Sequence, residues 1–206
     1  MEQSTKEKIT SFVEACHKIA AYGLLRCSSG NMSYRLDGEL VALSASGAWF
    51  AELGADEVAV CRLEDGRCVN GKTATIEKAL HLGILRNRVD VNVVLHFQSP
   101  FATAIACGRK RDHNFAVILE VPYYIGKVAV VEYLPPGSIE LAEAVVSAMK
   151  THDMAILRNH GLVTVGKDFK DVISKASFFE LACQILLSQD KPEFLSQKTI
   201  DALRNV

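Results

Sequence analysis

The chain has 206 residues, 49% of them hydrophobic and 23% charged, and its 23 basic and 24 acidic side chains leave a formal net charge of −1. That composition fits one globular domain over residues 1–206, long enough to bury about 70% of its unfolded surface with no disulfide or structural metal. A pI of about 6.6 excludes the strongly basic balance of a nucleic-acid binder, and no run approaches the ~18 apolar residues that span a bilayer; with a polar start from Met1 to Thr10, a cytoplasmic protein is expected.

In chain order, Ser4-Thr5-Lys6-Glu7 has the S-x-x-E form of a capping box, and Ile9, Phe12, Val13, Cys16, Ile19 and Ala20 follow at helical spacing until Gly23. Short runs from Met32 to Leu36, Leu40 to Leu43 and Val58 to Leu63 predict strands, with Asp37-Gly38, Asp65-Gly66 and Asn70-Gly71 as turns. A second helix is predicted from Thr75 to Arg88, then a buried strand from Val91 to His96. Ser99-Pro100 predicts an N-cap and first helical residue for a helix to about Cys107. Val128 to Tyr133 reads as a strand, Ser138 as the start of a helix, and Met154 to Leu157 and Leu162 to Val165 as strands meeting at Asn159-His160-Gly161. Asp168 caps a long helix ending near Ser188, and Pro192 starts a short terminal one. Hairpins mixed with helices imply an α/β fold with a central, mostly antiparallel sheet covered by helices.

The six cysteines contain no C-x-x-C pair and several sit in apolar runs, so all are expected as reduced, packed thiols. Gly66 to Thr73 spells the P-loop pattern G-x-x-x-x-G-K-[ST]. Both of its glycines belong to hairpin dipeptides, and no later strand ends in an evident Mg²⁺-binding Asp, so a hairpin leading into a helix is expected there.

Chemistry concentrates elsewhere. His96 ends an apolar strand, and Gln98 shares its face by the two-residue period. Alone, His96 reads as a hydrogen-bonded core histidine; His160, beside the bend at Gly161, opens the alternative that two strand-end histidines converge on one ion. Glu77 near a helix start is either a favourable charge there or a reactive carboxylate. His81, four residues on and on the same helical face, is expected to pack or hydrogen-bond rather than bind metal.

The pieces Ser29-Gly30-Asn31-Met32-Ser33, Ser44-Ala45-Ser46-Gly47, Gly71-Lys72 leading to Glu77, Asp90 to His96, Pro136-Gly137-Ser138 and Asn159-His160-Gly161-Leu162 occur in one order. Through them the chain, roughly from Phe12 to Leu187, resembles the class II aldolase/adducin family, and within it the fuculose-1-phosphate aldolase type. The resemblance implies a three-layer αβα sandwich and a homotetramer with its active site at a subunit interface. It implies a divalent metal, Zn²⁺ being the expected ion, held by His96, Gln98 and His160. Gln98 stands where the family pattern has a histidine, and its neutral amide oxygen suits harder ions than Zn²⁺; it either ligates, holds a water, or marks a changed site.

By the same resemblance Glu77 is the catalytic base, and Gly30, Asn31, Ser46, Gly47 and Thr75 form a phosphate cradle. Ile76 replaces a serine common in the family, which removes one donor. The general acid is expected from a neighbouring subunit, with Tyr123, Tyr124 and Glu120 as candidates. The implied reaction is lyase chemistry in carbohydrate metabolism: a carbon–carbon bond of a small sugar phosphate such as L-fuculose 1-phosphate is cleaved or formed, giving dihydroxyacetone phosphate and an aldehyde. The alternatives are a phosphosugar 4-epimerase or a decarboxylase on the same site, or a non-catalytic scaffold like the adducin heads.

Overall fold

The computed structural model describes residues 3–110 and 112–203. Helix α1 (Gln3–Ala21) already includes Gln3, so Ser4 lies inside its first turn and does not open a capping box; the Gln3 amide instead reaches Glu7 one turn on, at 3.1 Å. Strands β1 (Asn31–Arg35) and β2 (Leu40–Ser44) form a hairpin whose turn is held by the Asp37 carboxylate, which accepts from the Glu39 and Leu40 N–H groups. A 3₁₀ turn (Ala55–Glu57) leads into β3 (Val58–Arg62). Then come α2 (Lys78–Asn87), β4 (Val93–Phe97), α3 (Pro100–Cys107) and a π-helical turn (Val121–Ile125). The chain continues with β5 (Val128–Val131), α4 (Ile139–Met149), β6 (Met154–Leu157), β7 (Gly161–Gly166), α5 (Phe169–Ser188) and α6 (Gln197–Leu203).

The strands make one sheet in the order β3-β2-β1-β4-β7-β6-β5. Every neighbouring pair is antiparallel except β5 and β6. Helices cover both faces, which gives the expected α/β sandwich. On one face Phe12, Ile105 and Phe179, from α1, α3 and α5, pack on Met32, Leu95, Phe97 and Leu162. On the other, Leu80, Leu85, Val145 and Met149, from α2 and α4, pack on Val41, Leu43, Val94 and Val163. Burial on both sides explains why β4 reads as an unbroken apolar run rather than an alternation.

Several boundaries differ from the sequence reading. Helix α2 starts at Lys78 rather than Thr75, because Ala74 pairs with Ala45 and the Thr75 N–H bonds Ser44 O, which keeps this stretch extended. Helix α6 starts at Gln197, where the Ser196 hydroxyl accepts from Thr199 N–H, and not at Pro192. Strand β4 runs one residue past His96, to Phe97. Ser138 and Asp168 do cap α4 and α5, accepting from Leu141 N–H and Asp171 N–H at 3.1 and 2.8 Å. Ser99 occupies the N-cap of α3, but its hydroxyl donates to Glu180 of α5, whose carboxylate accepts the first free N–H groups of α3, those of Phe101 and Ala102.

The cysteines correct a second expectation. Cys61 and Cys68 are bonded as a disulfide, because the turn at Asp65-Gly66 returns the chain so that the two residues face each other across an antiparallel bridge. Cys16 and Cys183 are free and buried, and burial pushes both thiols up; Cys27 and Cys107 are free and exposed. The P-loop-like segment is a hairpin, as expected: Gly66 takes a left-handed φ of 72°, and Lys78 reaches back to its carbonyl. Among the described residues, no helix is long and apolar enough to cross a membrane.

Candidate active site

Antiparallel pairing gathers the candidate residues at one end of the sheet. Asn31, which opens β1, lies opposite His96 near the end of β4, and Leu162 near the start of β7 lies opposite Phe97. His160, in the turn from β6 to β7, therefore arrives beside Gln98. Glu77 enters from the adjoining layer, at the N-cap of α2. Close approach needs the glycine at 161: a Cβ there would stand 2.8 Å from Phe97 O and 3.1 Å from the His96 ring. Asn159, one residue before His160, makes the turn with a left-handed φ of 54°.

Glu77, His96 and His160 converge. Their ligand atoms lie within 4.8 Å of one another, with His96 Nε2 at 3.6 Å from Glu77 Oε2 and His160 Nε2 at 3.6 Å from Glu77 Oε1. All three side chains are almost wholly shielded from solvent. His96 Nδ1 donates to Leu162 O at 2.9 Å, which fixes the tautomer and leaves Nε2 with a free lone pair. Burial and the neighbouring His96 hold the His160 imidazole below its ordinary value, hence neutral. Burial pushes the Glu77 carboxyl up, but the facing imidazoles, His96 first, and the Asn31 hydrogen bond together hold it below its ordinary value, so Glu77 is anionic.

Two buried atoms of this group, Glu77 Oε1 and His160 Nδ1, have no hydrogen-bond partner. A buried unpaired carboxylate oxygen costs stability unless a cation or substrate satisfies it, so the donor set fits a divalent ion. His96 and His160 could ligate it, with Glu77 near enough either to bind it or to act beside it as a base. Gln98 donates from Nε2 to His160 O at 2.7 Å, which leaves its Oε1 as the atom available to an ion or a water.

A cleft of about 210 Å³ opens over these residues. All five cradle candidates, Gly30, Asn31, Ser46, Gly47 and Thr75, line it. The supply of donors is narrower than small residues alone suggest: Ser46 N–H is taken by Thr73 O and Thr75 N–H by Ser44 O. The Thr75 hydroxyl accepts from Glu77 N–H, and the Ile76 side chain is exposed. Tyr123, Tyr124 and Glu120 do not line this cleft; both tyrosines are half-exposed at the π-helical turn, and Tyr124 stacks on Phe178 of α5.

The sequence reading missed the partners of Glu77. Asn31 Nδ2 donates to Glu77 Oε2 at 2.9 Å, Asn31 Oδ1 meets His81 Nε2, and His81 Nδ1 meets the Ser33 hydroxyl at 2.9 Å. His81 is fully buried and hydrogen-bonded, in line with its sequence reading, but to β1 rather than along its own helix. The available signal was a pair of periods, Asn31 and Ser33 two apart on a strand, Glu77 and His81 four apart on a helix.

A buried carboxylate and two imidazoles that could hold a metal ion face one cleft at the end of a helix-covered antiparallel sheet, the arrangement of an α/β protein with its site at the strand ends. The family model for the class II aldolase and adducin N-terminal domain matches residues 10–187, and the chain belongs to this family. An L-fuculose phosphate aldolase of Methanococcus maripaludis is 34% identical over 177 residues, 86% of this chain and 94% of that protein. A 3-oxo-tetronate 4-phosphate decarboxylase of Haemophilus influenzae is 28% identical over 182 residues, 86% of each chain. The solved structure of YgbL from Klebsiella pneumoniae has the same fold, with a TM-score of 0.89 over 98% of both chains at 23% identity.

Proposed function

We propose that this chain is a divalent-metal-dependent lyase that makes or breaks a carbon–carbon bond in a small sugar phosphate, giving dihydroxyacetone phosphate and an aldehyde. One observation carries the reading: Glu77, at the floor of the cleft, has Oε2 tied by Asn31 and near His96, and Oε1 buried, without a hydrogen bond and facing His160. The Methanococcus relative, an L-fuculose phosphate aldolase, makes L-fuculose 1-phosphate the first substrate to try.

When bound at His96, His160 and Gln98, a divalent ion, with Zn²⁺ the first candidate, supplies a Lewis acid that polarises the substrate carbonyl. In the synthetic direction Glu77 Oε1 takes the proton from the carbon beside that carbonyl. This carbon bonds the aldehyde carbon, and the aldehyde oxygen receives a proton. That proton comes from Tyr123, Tyr124 or Glu120 of a second copy of the chain. The phosphate rests among Gly30, Asn31, Ser46, Gly47 and Thr75, close to the start of α2, where main-chain dipoles favour an anion.

A homotetramer with the site at a subunit interface is part of this reading. It is supported by the exposed apolar surface around the edge strand β5, formed by Leu119, Tyr123, Tyr124, Val130 and Tyr133. The Haemophilus relative favours a second reading, decarboxylation of a phosphorylated sugar acid on the same residues.

The test is incubation with dihydroxyacetone phosphate and a panel of short aldehydes, with metal supplied and products read by mass. Condensation products that Glu77→Gln fails to form, at unchanged metal content, support the lyase. A blank panel together with CO₂ release from a 3-oxo sugar-acid phosphate selects the decarboxylase.

A further inference from the structure

The polar chain behind Glu77 has a direction that can be derived from one end. An anionic carboxylate only accepts hydrogen bonds, so Asn31 must turn its NH₂ group to Glu77 Oε2, which points its carbonyl Oδ1 at His81. Because Oδ1 only accepts, His81 Nε2 must carry the ring proton. Burial pushes the His81 imidazole down to about 3, so the ring is neutral, and its Nδ1 is then a lone pair that accepts from the Ser33 hydroxyl. The titratable groups facing His81 are Glu77 and His96. Each link allows only one orientation of the next, and the geometry needs both elements: Asn31 and Ser33 share one face of β1, while Glu77 and His81 share one face of α2.

We propose that His81 is a positioning residue, which with Ser33 locks the Asn31 amide in the orientation that ties down Glu77 Oε2 and leaves Oε1 as the proton-accepting atom. The proposal rests on Glu77 being the base of the lyase reading. Without His81, the amide of Asn31 is free to turn its oxygen toward the carboxylate. That contact is repulsive, and Glu77 then swings away from its working position. His81 touches neither the cleft nor the metal-binding atoms; it is absent from the cleft lining and fully buried. Acting through Asn31, which also lines the phosphate cradle, it affects turnover first and substrate capture less, and leaves metal capture alone.

Two measurements on the intact protein test this. The first needs no activity: ¹⁵N NMR of the ring nitrogens at pH 7, assigned by comparison with His81→Gln. The expected result is the neutral tautomer with the proton on Nε2; a proton on Nδ1, or an imidazolium, overturns the proposal. The second compares His81→Leu, His81→Gln and Ser33→Ala for kcat, KM, metal content and melting temperature. His81→Leu is expected to lose roughly 10- to 100-fold in kcat, the range found for residues that orient a reacting group from behind. Its KM and metal content are expected to stay within about twofold. His81→Gln, which keeps an N–H for Asn31 Oδ1, is expected to recover most of the loss, and Ser33→Ala to lose less than His81→Leu.

Equal kcat in His81→Leu and the parent, or equal losses in the Leu and Gln variants at matched melting temperature, overturns the proposal. If His81→Leu does not fold, the Gln and Ser33→Ala variants decide it, with loss of metal or of KM in place of kcat counting against. A parent protein with the expected tautomer but no lyase or decarboxylase turnover would overturn the proposed function and leave the orientation of the chain standing.

Discussion

Both faces of the central sheet pack on an apolar core, but where β1 and β4 run side by side the two faces differ in chemistry. Toward α1, α3 and α5, strands β1 and β4 present Met32, Tyr34, Val93, Leu95 and Phe97. Toward α2 and α4 they present Asn31, Ser33, Arg35 and His96 alongside the apolar Val94; Arg35 donates to Leu85 O, and Asn31, Ser33 and His96 build or back the site. Polar residues on a buried face are stable because they find hydrogen-bond partners, Asn31, Ser33 and Arg35 in or at the start of α2 and His96 in the neighbouring strand β7. Both layers thus hold the fold together, and only the α2 layer gives up part of its apolar packing, beside β1 and the end of β4, to a polar group that carries the chemistry.

The contrast breaks most visibly in paired substitutions. Glu77→Gln, which keeps the shape of the side chain, is expected to lower turnover by about 10²- to 10⁴-fold, the usual span for a general base, with the chain still folded by its melting transition. Phe97→Ala, on the opposite face and fully buried, is expected to cost about 3–5 kcal/mol in denaturant unfolding. Folded Phe97→Ala should keep parental metal content. If it loses metal as fully as it loses stability, the faces are not separable.

An intermediate effect comes from acid. His81 is held neutral, with its value pushed down to about 3, while in the unfolded chain it titrates near 6.5. The unfolded state therefore binds the extra proton first as pH falls. The contribution is complete above about pH 6.5 and declines as pH drops toward 3. From pH 7.5 to 5 the expected loss from this one group is about 2 kcal/mol, read as the difference between urea midpoints, and His81→Gln should remove that part of the slope.

The smallest effect tests whether the helices of the two layers are comparable. Ser138→Ala in α4 and Asp168→Ala in α5 each remove one N-cap acceptor, from opposite sides of the sheet. Each is expected to cost about 1 kcal/mol by thermal unfolding. Similar losses mean that the layers differ in what they carry, not in how firmly their helices are started. A several-fold larger loss in either would show that its layer carries more of the stability.

Much of this was legible in the sequence. The capped helices at Ser138 and Asp168, the hairpins at Asp37-Gly38 and Asp65-Gly66, and the strand ending near His96 follow from local chemistry. So does the expectation that His96, His160 and Glu77 belong together, although that one drew on resemblance as well as spacing. What was not legible depended on contacts between distant segments. The start of α2 is set by the bond from Thr75 to Ser44 and the cap of α3 by Glu180 from another helix; the Cys61–Cys68 pairing, only 7 residues apart, depends on how the hairpin returns. The role of Asn31 was assigned to phosphate alone, because nothing local says that an asparagine opening one strand will meet a glutamate 46 residues later.

The alternation in β1 also bears on how the chain finds its fold. A slip of one residue between β1 and β4 would turn Asn31, Ser33 and Arg35 onto the apolar layer and Met32 and Tyr34 onto the polar one. Each misplaced polar group then costs about 1–3 kcal/mol in unmet hydrogen bonds. An all-apolar β1 could slide with little loss. The residues that equip the cleft are thus also the ones that reject wrong pairings of the sheet, and a variant stripped of them risks misfolding as well as inactivity.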